Sequence, residues 1–268
     1  MSDLALHYDS RPRGVPLVLL PAFPFDGRMW NPALREAGID AIRVDPPGFG
    51  DSPQGNVIAA RYGAPVAASL ELYADALAGS LDQMGVERIV LAGASMGGYA
   101  AMAFAARHPQ RLAALGLFGT KSVTDTAEQI EVRLRQAESA EGQGTDVMGG
   151  QLVVLLERLL APGTHVTNER LYHKLESWLE QAPSAGIAWA QRAMAARSDR
   201  TRVLRSLEIP AVVARGELDV ICTREDHEIM ADALGVPFHE IPDAGHLVAV
   251  EAPQATAGFL TRLMESAR

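Results

Sequence analysis

Residues 88–101 read RIVLAGASMGGYAA, and they are the clearest indication of the fold class. The apolar run at 88–93 has the length and composition of a buried strand. It stops at one hydroxyl, that of Ser95, among small residues, and an alanine-rich segment at 96–107 follows with helical spacing. A buried strand that turns directly into a helix predicts an α/β architecture.

The alternation of short apolar runs with longer helical patterns continues along the chain. Strand candidates lie at 16–21, 40–45, 88–93, 112–119, 209–216 and 237–243. Helix candidates, with apolar residues three and four positions apart, lie at 69–84, 96–107, 223–234 and 252–266. This order predicts a mostly parallel central sheet with helices on both faces.

One interval, residues 121–200, offers helical segments and no strand candidate. The segments are 124–139, 146–161, 168–181 and 184–197, and they are punctuated at Pro162-Gly163 and at Pro183. We interpret the interval as a helical cap that is inserted into a core formed by residues 1–120 and 201–268.

Length, charge and cysteine content narrow the class of protein. The chain has 268 residues, of which 48% are hydrophobic, and a formal net charge of -9. Because there is no basic surplus, we expect no nucleic-acid partner, and no apolar run approaches the roughly 18 residues of a membrane span.

The single cysteine, Cys222, cannot form an internal disulfide and is expected to be a small buried thiol. The N-terminal segment does not resemble a secretory signal, so we expect a cytoplasmic protein.

The order Gly93, Ala94, Ser95, Met96, Gly97 between a strand and a helix fits the G-x-S-x-G turn that presents a serine nucleophile. The two glycines provide space in the sharp turn, and the start of the next helix offers free N–H groups to developing negative charge. The alternative is a glycine-rich turn with an incidental serine. Because a serine hydroxyl is a weak nucleophile until a base accepts its proton, the hypothesis requires a histidine and an orienting carboxylate.

His246 is the candidate base, since it lies in a small-residue loop after the last strand candidate and before the last helix. Asp219 follows another strand candidate and is the candidate orienting acid, with Glu217 as a rival in the same loop. The histidines that we instead expect at solvated positions, in or near helices, are His165, His173 and His227.

These segments together resemble the capped α/β-hydrolase enzymes, the group that includes 3-oxoadipate enol-lactonases, carboxylesterases, pimeloyl-carrier-protein methyl esterases and cofactor-free haloperoxidases. The resemblance extends through LVLLPAFPFDGRMW at 17–30, VDPPGFGDSP at 44–53, the serine turn, ARGELD at 214–219 and AGHLVAVEAP at 244–253. The chain order Ser95, Asp219, His246 is that of the catalytic triad in this fold. The resemblance implies that these three residues are catalytic, but it does not identify the substrate.

Enzymes of this resemblance usually carry His-Gly where this chain has Pro21-Ala22. The N–H of the next residue, Phe23, remains available because a main-chain donor does not depend on its side chain. We therefore expect the N–H groups of Phe23 and Met96, the residue after the nucleophile, to form the oxyanion hole. We interpret the exchange as neutral drift, with a changed reaction as the alternative.

Trp178, Trp189, Met148 and Met194 in the predicted cap are candidates for the wall of a substrate pocket, with helix packing as the alternative. An apolar lining of this kind predicts a small to medium substrate that is uncharged or partly apolar. The sequence has no motif for a catalytic metal, a dinucleotide or a P-loop, so we expect no cofactor.

The predicted reaction is hydrolysis of a carboxylic ester, thioester or lactone of a small molecule through an acyl-enzyme. Carbon–carbon bond hydrolysis, perhydrolysis or lyase chemistry with the same residues is one alternative, because a fold does not determine its reaction. A ligand-binding protein with slow turnover is the other. The sequence alone does not decide the natural substrate or the oligomeric state.

Overall fold

The computed structural model describes residues 3–11, 14–63, 65 and 67–267, and of residues 143–151 it describes the backbone alone. Seven strands of the described chain form one sheet in the spatial order β1-β3-β2-β4-β5-β6-β7. β1 is antiparallel to β3, and every other neighbouring pair is parallel. The strands are Leu6–His7 (β1), Leu17–Leu20 (β2), Ala41–Val44 (β3), Ile89–Ala94 (β4), Leu112–Phe118 (β5), Ala211–Gly216 (β6) and Phe238–Ile241 (β7).

Helices connect the parallel strands. Short 3-10 turns lie at Gly27–Trp30 and Pro109–Arg111. The α-helices are Asn31–Ala37 (α1), Gly55–Arg61 (α2), Leu70–Met84 (α3), Met96–Arg107 (α4), Ala127–Leu159 (α5), Thr164–Thr167 (α6), Glu169–Glu180 (α7), Ser184–Ala195 (α8), Thr201–Arg205 (α9), Arg224–Leu234 (α10), Val248–Glu251 (α11) and Pro253–Ser266 (α12).

The predicted fold class and all six strand candidates are confirmed, the strands to within two residues at each end. The central strands β2, β4 and β5 are buried along their whole length, as a parallel sheet covered on both faces requires. The sequence analysis did not predict β1, α1 or α2, because segments this short carry little periodicity.

The helix boundaries follow from local capping chemistry. The hydroxyl of Ser69 accepts the N–H of Leu72 at 3.1 Å and starts α3, and Gly85 ends that helix in the left-handed region at φ 72°. Thr223 and Asp226 form a reciprocal capping box at the start of α10. Local capping therefore determines where α3 begins and ends and where α10 begins.

The segment between β5 and β6 is helical, as expected, but its first two predicted helices are one. The glycine-rich stretch near residue 144 favoured a break, yet α5 continues from Ala127 to Leu159. Propensity is a weak guide where tertiary contacts support a helix. Here α8 packs along α5, and Gln191 and Arg192 bond to Gln136 and Glu141 at 2.8 Å. The division of the chain into a core and a cap stays a prediction.

The carboxyl ends of β4, β5 and β6 meet at one edge of the sheet, where ligands bind in open α/β sheets. The turns after these strands and the loop after β7 carry the polar residues singled out by the sequence. Within the described part of the chain, no helix combines the length and the apolar character needed to cross a bilayer.

Candidate active site

Ser95 stands in the turn between β4 and α4 with φ 50° and ψ -114°, a conformation that a non-glycine residue holds only under restraint. Its N–H donates to the carbonyl of Phe118 at 3.0 Å. Its own carbonyl accepts the hydroxyl of Thr120 at 2.8 Å and the N–H of Gly98 at 2.9 Å. These bonds hold the backbone of the turn. The side chain makes no capping bond to α4, so its hydroxyl is not committed to the helix start.

The two glycines of the turn are required by close backbone approach. A Cβ on Gly93 would lie 2.2 Å from the carbonyl oxygen of Gly97, and a Cβ on Gly97 would lie 2.2 Å from that of Leu20. The space argument made from the sequence therefore holds, because any side chain at either position would push α4 away from the sheet.

His246 and Asp219 form a buried pair at the same edge of the sheet. The His246 Nδ1 atom lies 2.8 Å from Asp219 Oδ2, and both side chains are 0% exposed. The other carboxylate oxygen accepts the N–H groups of Ile221 at 2.8 Å and Cys222 at 3.1 Å. Burial alone would raise the pKa of Asp219, but the charge and hydrogen bond of His246 and these N–H groups outweigh it and lower that pKa.

The second ring nitrogen of His246 is available for proton transfer. A carboxylate can only accept, so Nδ1 carries the proton that Asp219 binds and Nε2 is the basic atom. This Nε2 atom is buried and has no hydrogen-bond partner within the described residues. Ser95 and His246 both line one cavity of about 340 Å³.

Glu217, the rival carboxylate, lies elsewhere in the loop. Its side chain accepts the N–H of Asp243 at 3.4 Å, and the residue is exposed. The structure therefore pairs His246 with Asp219 and leaves Glu217 outside the pair.

The loop that carries His246 is fastened to the C-terminal end of α5. The His246 N–H donates to the carbonyl of Leu159 at 3.0 Å. The half-buried carboxylate of Glu251 accepts the N–H of Ala161 at 2.6 Å and that of Leu247 at 3.1 Å, and its partial burial raises its pKa. No motif in the sequence pointed to Glu251, because its role depends on a contact across some ninety residues.

Gly119 packs against the His–Asp pair and was also missed. It adopts φ 50°, and a Cβ there would lie 2.9 Å from the carbonyl oxygen of His246, 3.3 Å from its Nδ1 and 3.4 Å from Asp219 Oδ2. A side chain at this position would strain the backbone and displace the pair.

The two expected oxyanion donors flank the serine turn. Met96 is the first residue of α4, and Phe23 lies in the loop after β2 and lines the cavity. Neither main-chain N–H donates a hydrogen bond within the described part of the chain. The altered loop is held by the N–H of Ala22, which bonds to the sulfur of Met29 at 3.3 Å, and by the N–H of Phe25, which donates to the Ala22 carbonyl at 2.8 Å.

The cavity lining is more strongly charged than the sequence analysis expected. Apolar side chains such as Leu155, Met194 and Ile221 contribute to it. The ionisable side chains that line it besides His246 and the buried phenol Tyr99 are Lys121, Asp125, Glu128, Arg133 and Arg158. The sequence analysis expected an apolar lining and missed this charged share, which comes in part from polar side chains that the first half of α5 turns toward the cavity.

Only one of the four predicted pocket residues is seen in the lining. Met194 lines the cavity. Trp178 instead packs edge-on against Phe25 at 6.4 Å between ring centroids, and the indole of Trp189 fills the space above Gly55. The side chain of Met148 lies outside the described residues. The two tryptophans thus serve the helix packing that the sequence analysis weighed as the alternative.

Two further expectations concern residues near the site. Cys222 is a fully buried thiol, as expected, and burial raises its pKa. His227 is not solvated but fully buried, with Nδ1 donating to the Thr223 carbonyl at 2.8 Å and Nε2 accepting the N–H of Thr120 at 3.2 Å. The expectation of a solvated position is wrong because α10 turns this face onto the sheet, whereas His165 and His173 are exposed.

Two groups of side chains in the described residues have the composition of metal ligands. One is Asp219, Cys222 and His246, and the other is His7, Asp45 and Asp51. In the first group the carboxylate already binds an imidazole and two N–H groups. In the second, Asp45 accepts His7 at 2.7 Å and the N–H groups of Gly27 and Asp51 at 3.0 and 2.9 Å. Both carboxylates therefore have protein partners that account for their positions.

Comparison with known proteins adds a family and several relatives. The sequence profile of the alpha/beta hydrolase family matches residues 17–259. A thermophilic esterase from Thermogutta terrifontis, solved with malate bound, superposes with a TM-score of 0.86 at 32% identity, over 98% of this chain and 94% of the esterase.

Two curated relatives match over shorter regions. The 3-oxoadipate enol-lactonase 1 of Acinetobacter baylyi is 26% identical over 174 residues, which are 65% of this chain and 63% of the lactonase. A 2-hydroxy-6-oxononadienedioate/2-hydroxy-6-oxononatrienedioate hydrolase of Paraburkholderia phymatum is 35% identical over 125 residues, 44% of this chain and 41% of that hydrolase. The matches span less than two thirds of either relative.

Proposed function

The chain belongs to the alpha/beta hydrolase family, and we propose that it is a serine hydrolase that cleaves a carboxylic ester, thioester or lactone of a small to medium substrate. The observation that carries the proposal is the buried His246–Asp219 pair, in which His246 Nδ1 lies 2.8 Å from Asp219 Oδ2. The other ring nitrogen of His246, Nε2, has no partner among the described residues, and His246 lines the same cavity as Ser95. A base, its orienting acid and a restrained serine are the parts that acyl transfer requires.

In the proposed mechanism the Ser95 hydroxyl attacks the substrate carbonyl while His246 Nε2 accepts its proton. Asp219 keeps the imidazole in the required tautomer and stabilises the imidazolium that forms. His246 then gives the proton to the leaving oxygen or sulfur, which leaves an acyl group on Ser95. Water attacks this acyl-enzyme with His246 as base, and the acid product departs as the serine recovers its proton.

The negative oxygen that forms during both steps needs donors that are not already committed. The N–H groups of Phe23 and Met96 meet this condition, because neither bonds to another described residue. Such donors act in a water-poor site, and the loss of one costs on the order of 100- to 1,000-fold in turnover. The Pro21-Ala22 exchange leaves both N–H groups in the chain, which supports the interpretation as drift.

One relative favours a second candidate function. The Paraburkholderia enzyme is named a hydrolase of 2-hydroxy-6-oxo dienedioates and trienedioates, and such ketone substrates suggest hydrolysis of a carbon–carbon bond next to the carbonyl. The same serine, histidine and aspartate can serve that reaction, because the fold does not determine the chemistry.

A graded series of 4-nitrophenyl acyl esters near neutral pH tests the proposal. We expect the wild type to release 4-nitrophenolate, and Ser95→Ala to lose at least about 10,000-fold in kcat. Ser206→Ala changes an exposed serine whose hydroxyl donates to the Val203 carbonyl and to no other described residue, so it serves as the matched control and should keep full activity. Equal rates in the wild type and Ser95→Ala would overturn the proposal, and turnover of a vinylogous 1,5-diketone but no ester would favour the second candidate.

We also propose a small-molecule substrate and a cytoplasmic location. The cavity of about 340 Å³ supports the first, since small-molecule sites have volumes of roughly 300 to 1,000 Å³. Cell fractionation tests the second, and recovery of the protein in a periplasmic, secreted or membrane fraction would contradict it.

A further inference from the structure

Three cationic side chains share one buried carboxylate next to the cavity. The Asp125 side chain, only 2% exposed, lies 3.0 Å from Lys121 Nζ, 2.6 Å from Arg133 Nε and 2.6 Å from Arg197 Nη1. One carboxylate can neutralise one cation. The cluster therefore carries two positive charges in excess.

The excess charge belongs to the cavity side of the cluster. Arg197 is buried behind it, with its guanidinium 4.2 Å from the centroid of the Tyr99 ring and hydrogen bonds to Asp125. Lys121 and Arg133, in contrast, both line the cavity. The ammonium of Lys121 has three donors, of which the ion pair with Asp125 uses one.

The ionisation of Asp125 does not remove the imbalance. Burial acts to raise its pKa, but the hydrogen bond from Arg197 and the charges of Arg133 and Arg197 hold the pKa of Asp125 well below its usual range. The carboxylate is thus already charged at neutral pH, and its single negative charge leaves two of the three cations without a counter-charge. The other acid in the lining, Glu128, is exposed, so water screens its charge.

A further cation, Arg158 near the C-terminal end of α5, lines the same cavity and has no ion pair among the described residues. Arg158 is exposed, so water screens its charge as it screens that of Glu128, and the partly desolvated excess is that of Lys121 and Arg133. A cavity with an excess of partly desolvated cations is completed by an anion, because an uncompensated charge held away from water is costly.

We propose that this cavity binds the carboxylate of an acidic substrate, with Lys121 and Arg133 as its ligands and the scissile ester, thioester or lactone bond at Ser95. The inference rests on the proposed function and names its substrate class: half-esters and related monoacyl derivatives of dicarboxylic acids. Charge-assisted hydrogen bonds from an ammonium and a guanidinium to a carboxylate are among the strongest that side chains form.

Two substrates of matched shape test the substrate class. In methyl 5-methylhexanoate an isopropyl group takes the place of the carboxylate of monomethyl glutarate, and released acid is followed by pH-stat or chromatography. Hydrogen bonds to a charged group contribute about 1.5 to 3 kcal/mol, or roughly 10- to 100-fold. We expect the wild type to favour the half-ester by that factor in kcat/KM.

Substitution of the two ligands should remove the preference. Lys121→Met and Arg133→Met are each expected to lower kcat/KM for the half-ester by roughly 10- to 100-fold and to change the neutral ester less than about threefold. Lys121→Met leaves Asp125 two arginine partners, so we expect it to fold. The matched control is Arg135→Met, which removes a positive charge from α5 at a side chain that is 58% exposed and that pairs, among the described residues, with Glu131 alone. It should leave both rates unchanged.

A binding experiment separates this inference from the proposed function. Calorimetry with Ser95→Ala should show monomethyl glutarate binding at least about tenfold more tightly than the neutral ester, with the difference lost when Lys121→Met is added. If this holds but the wild type cleaves neither ester, the carboxylate site stands and the hydrolase proposal fails. If the neutral ester binds and reacts as well as the half-ester, or if Lys121→Met and Arg133→Met weaken both alike, the carboxylate site is refuted while the hydrolase proposal stands.

Discussion

Acidification should destabilise this protein through one histidine that supports the serine turn. His227 is fully buried, and burial lowers its pKa from the ordinary 6.5 to about 4 despite the favourable bond to the Thr223 carbonyl. Its Nε2 accepts the N–H of Thr120, whose hydroxyl in turn donates to the carbonyl of Ser95. Protonation of Nε2 abolishes that acceptor, so the folded state resists the proton that the unfolded chain takes up.

The sign and size of the effect follow from the two pKa values. The contribution of neutral His227 is fully present above pH 6.5, where neither state is protonated, and it is lost as the pH falls toward 4. The difference between the two values corresponds to about 3 kcal/mol in the free energy of unfolding. A loss of this size is a large part of the stability of an ordinary domain.

Urea denaturation of the wild type and of His227→Gln, at half-unit steps from pH 7.5 to pH 4, measures the effect. Glutamine retains a donor and an acceptor but does not titrate. The contributions of all other ionisable groups to the pH dependence are shared by the two proteins and cancel when one curve is subtracted from the other. We expect the wild-type advantage to shrink by about 3 kcal/mol over this range. His173→Gln, at an exposed histidine on α7, should give no such change. Parallel curves for the wild type and His227→Gln would refute the reasoning.

The remaining predictions concern the residues around His246. Asp219→Asn should keep the fold but lower kcat for 4-nitrophenyl acetate by roughly 10,000-fold at neutral pH, since the amide no longer stabilises the imidazolium; a loss under about tenfold would speak against the pair. Glu251→Ala should lower the free energy of unfolding by about 1 to 3 kcal/mol, because two partly buried N–H groups lose their acceptor, and unchanged urea curves would contradict this. Gly119→Ala should lower kcat and cost about 1 to 2 kcal/mol at its φ of 50°, whereas Gly142→Ala, which meets open space in α5, should leave kcat unchanged.

The fold could be predicted because its signals are local. Each buried strand of the parallel sheet is a short apolar run, and the serine turn needs glycines that stand next to each other in the chain. The same holds for helix starts such as Ser69 and Thr223, whose capping partners lie three residues away. Where the signal was local but weak, as in the glycine-rich middle of α5, tertiary packing prevailed over propensity.

The candidate site could be predicted only in part, because its lining is assembled from distant segments. Ser95, Asp219 and His246 stood out through their loop positions after strands. Lys121, Asp125 and Arg133, in contrast, belong to no sequence motif, and their shared contact appears only when α5, α8 and the end of β5 meet. Aromatic residues in the same segment drew attention by type, although the structure uses them for helix packing.

The most direct measurement is to trap the nucleophile. Diethyl 4-nitrophenyl phosphate transfers its diethylphosphoryl group to an activated serine with release of 4-nitrophenolate, and intact mass followed by tryptic mapping locates the adduct. We expect stoichiometric labelling on the peptide of residues 89–107, at Ser95, and none in Ser95→Ala or after unfolding in urea. A wild-type protein that stays unlabelled while it hydrolyses esters, or one labelled equally in Ser95→Ala, would contradict the account.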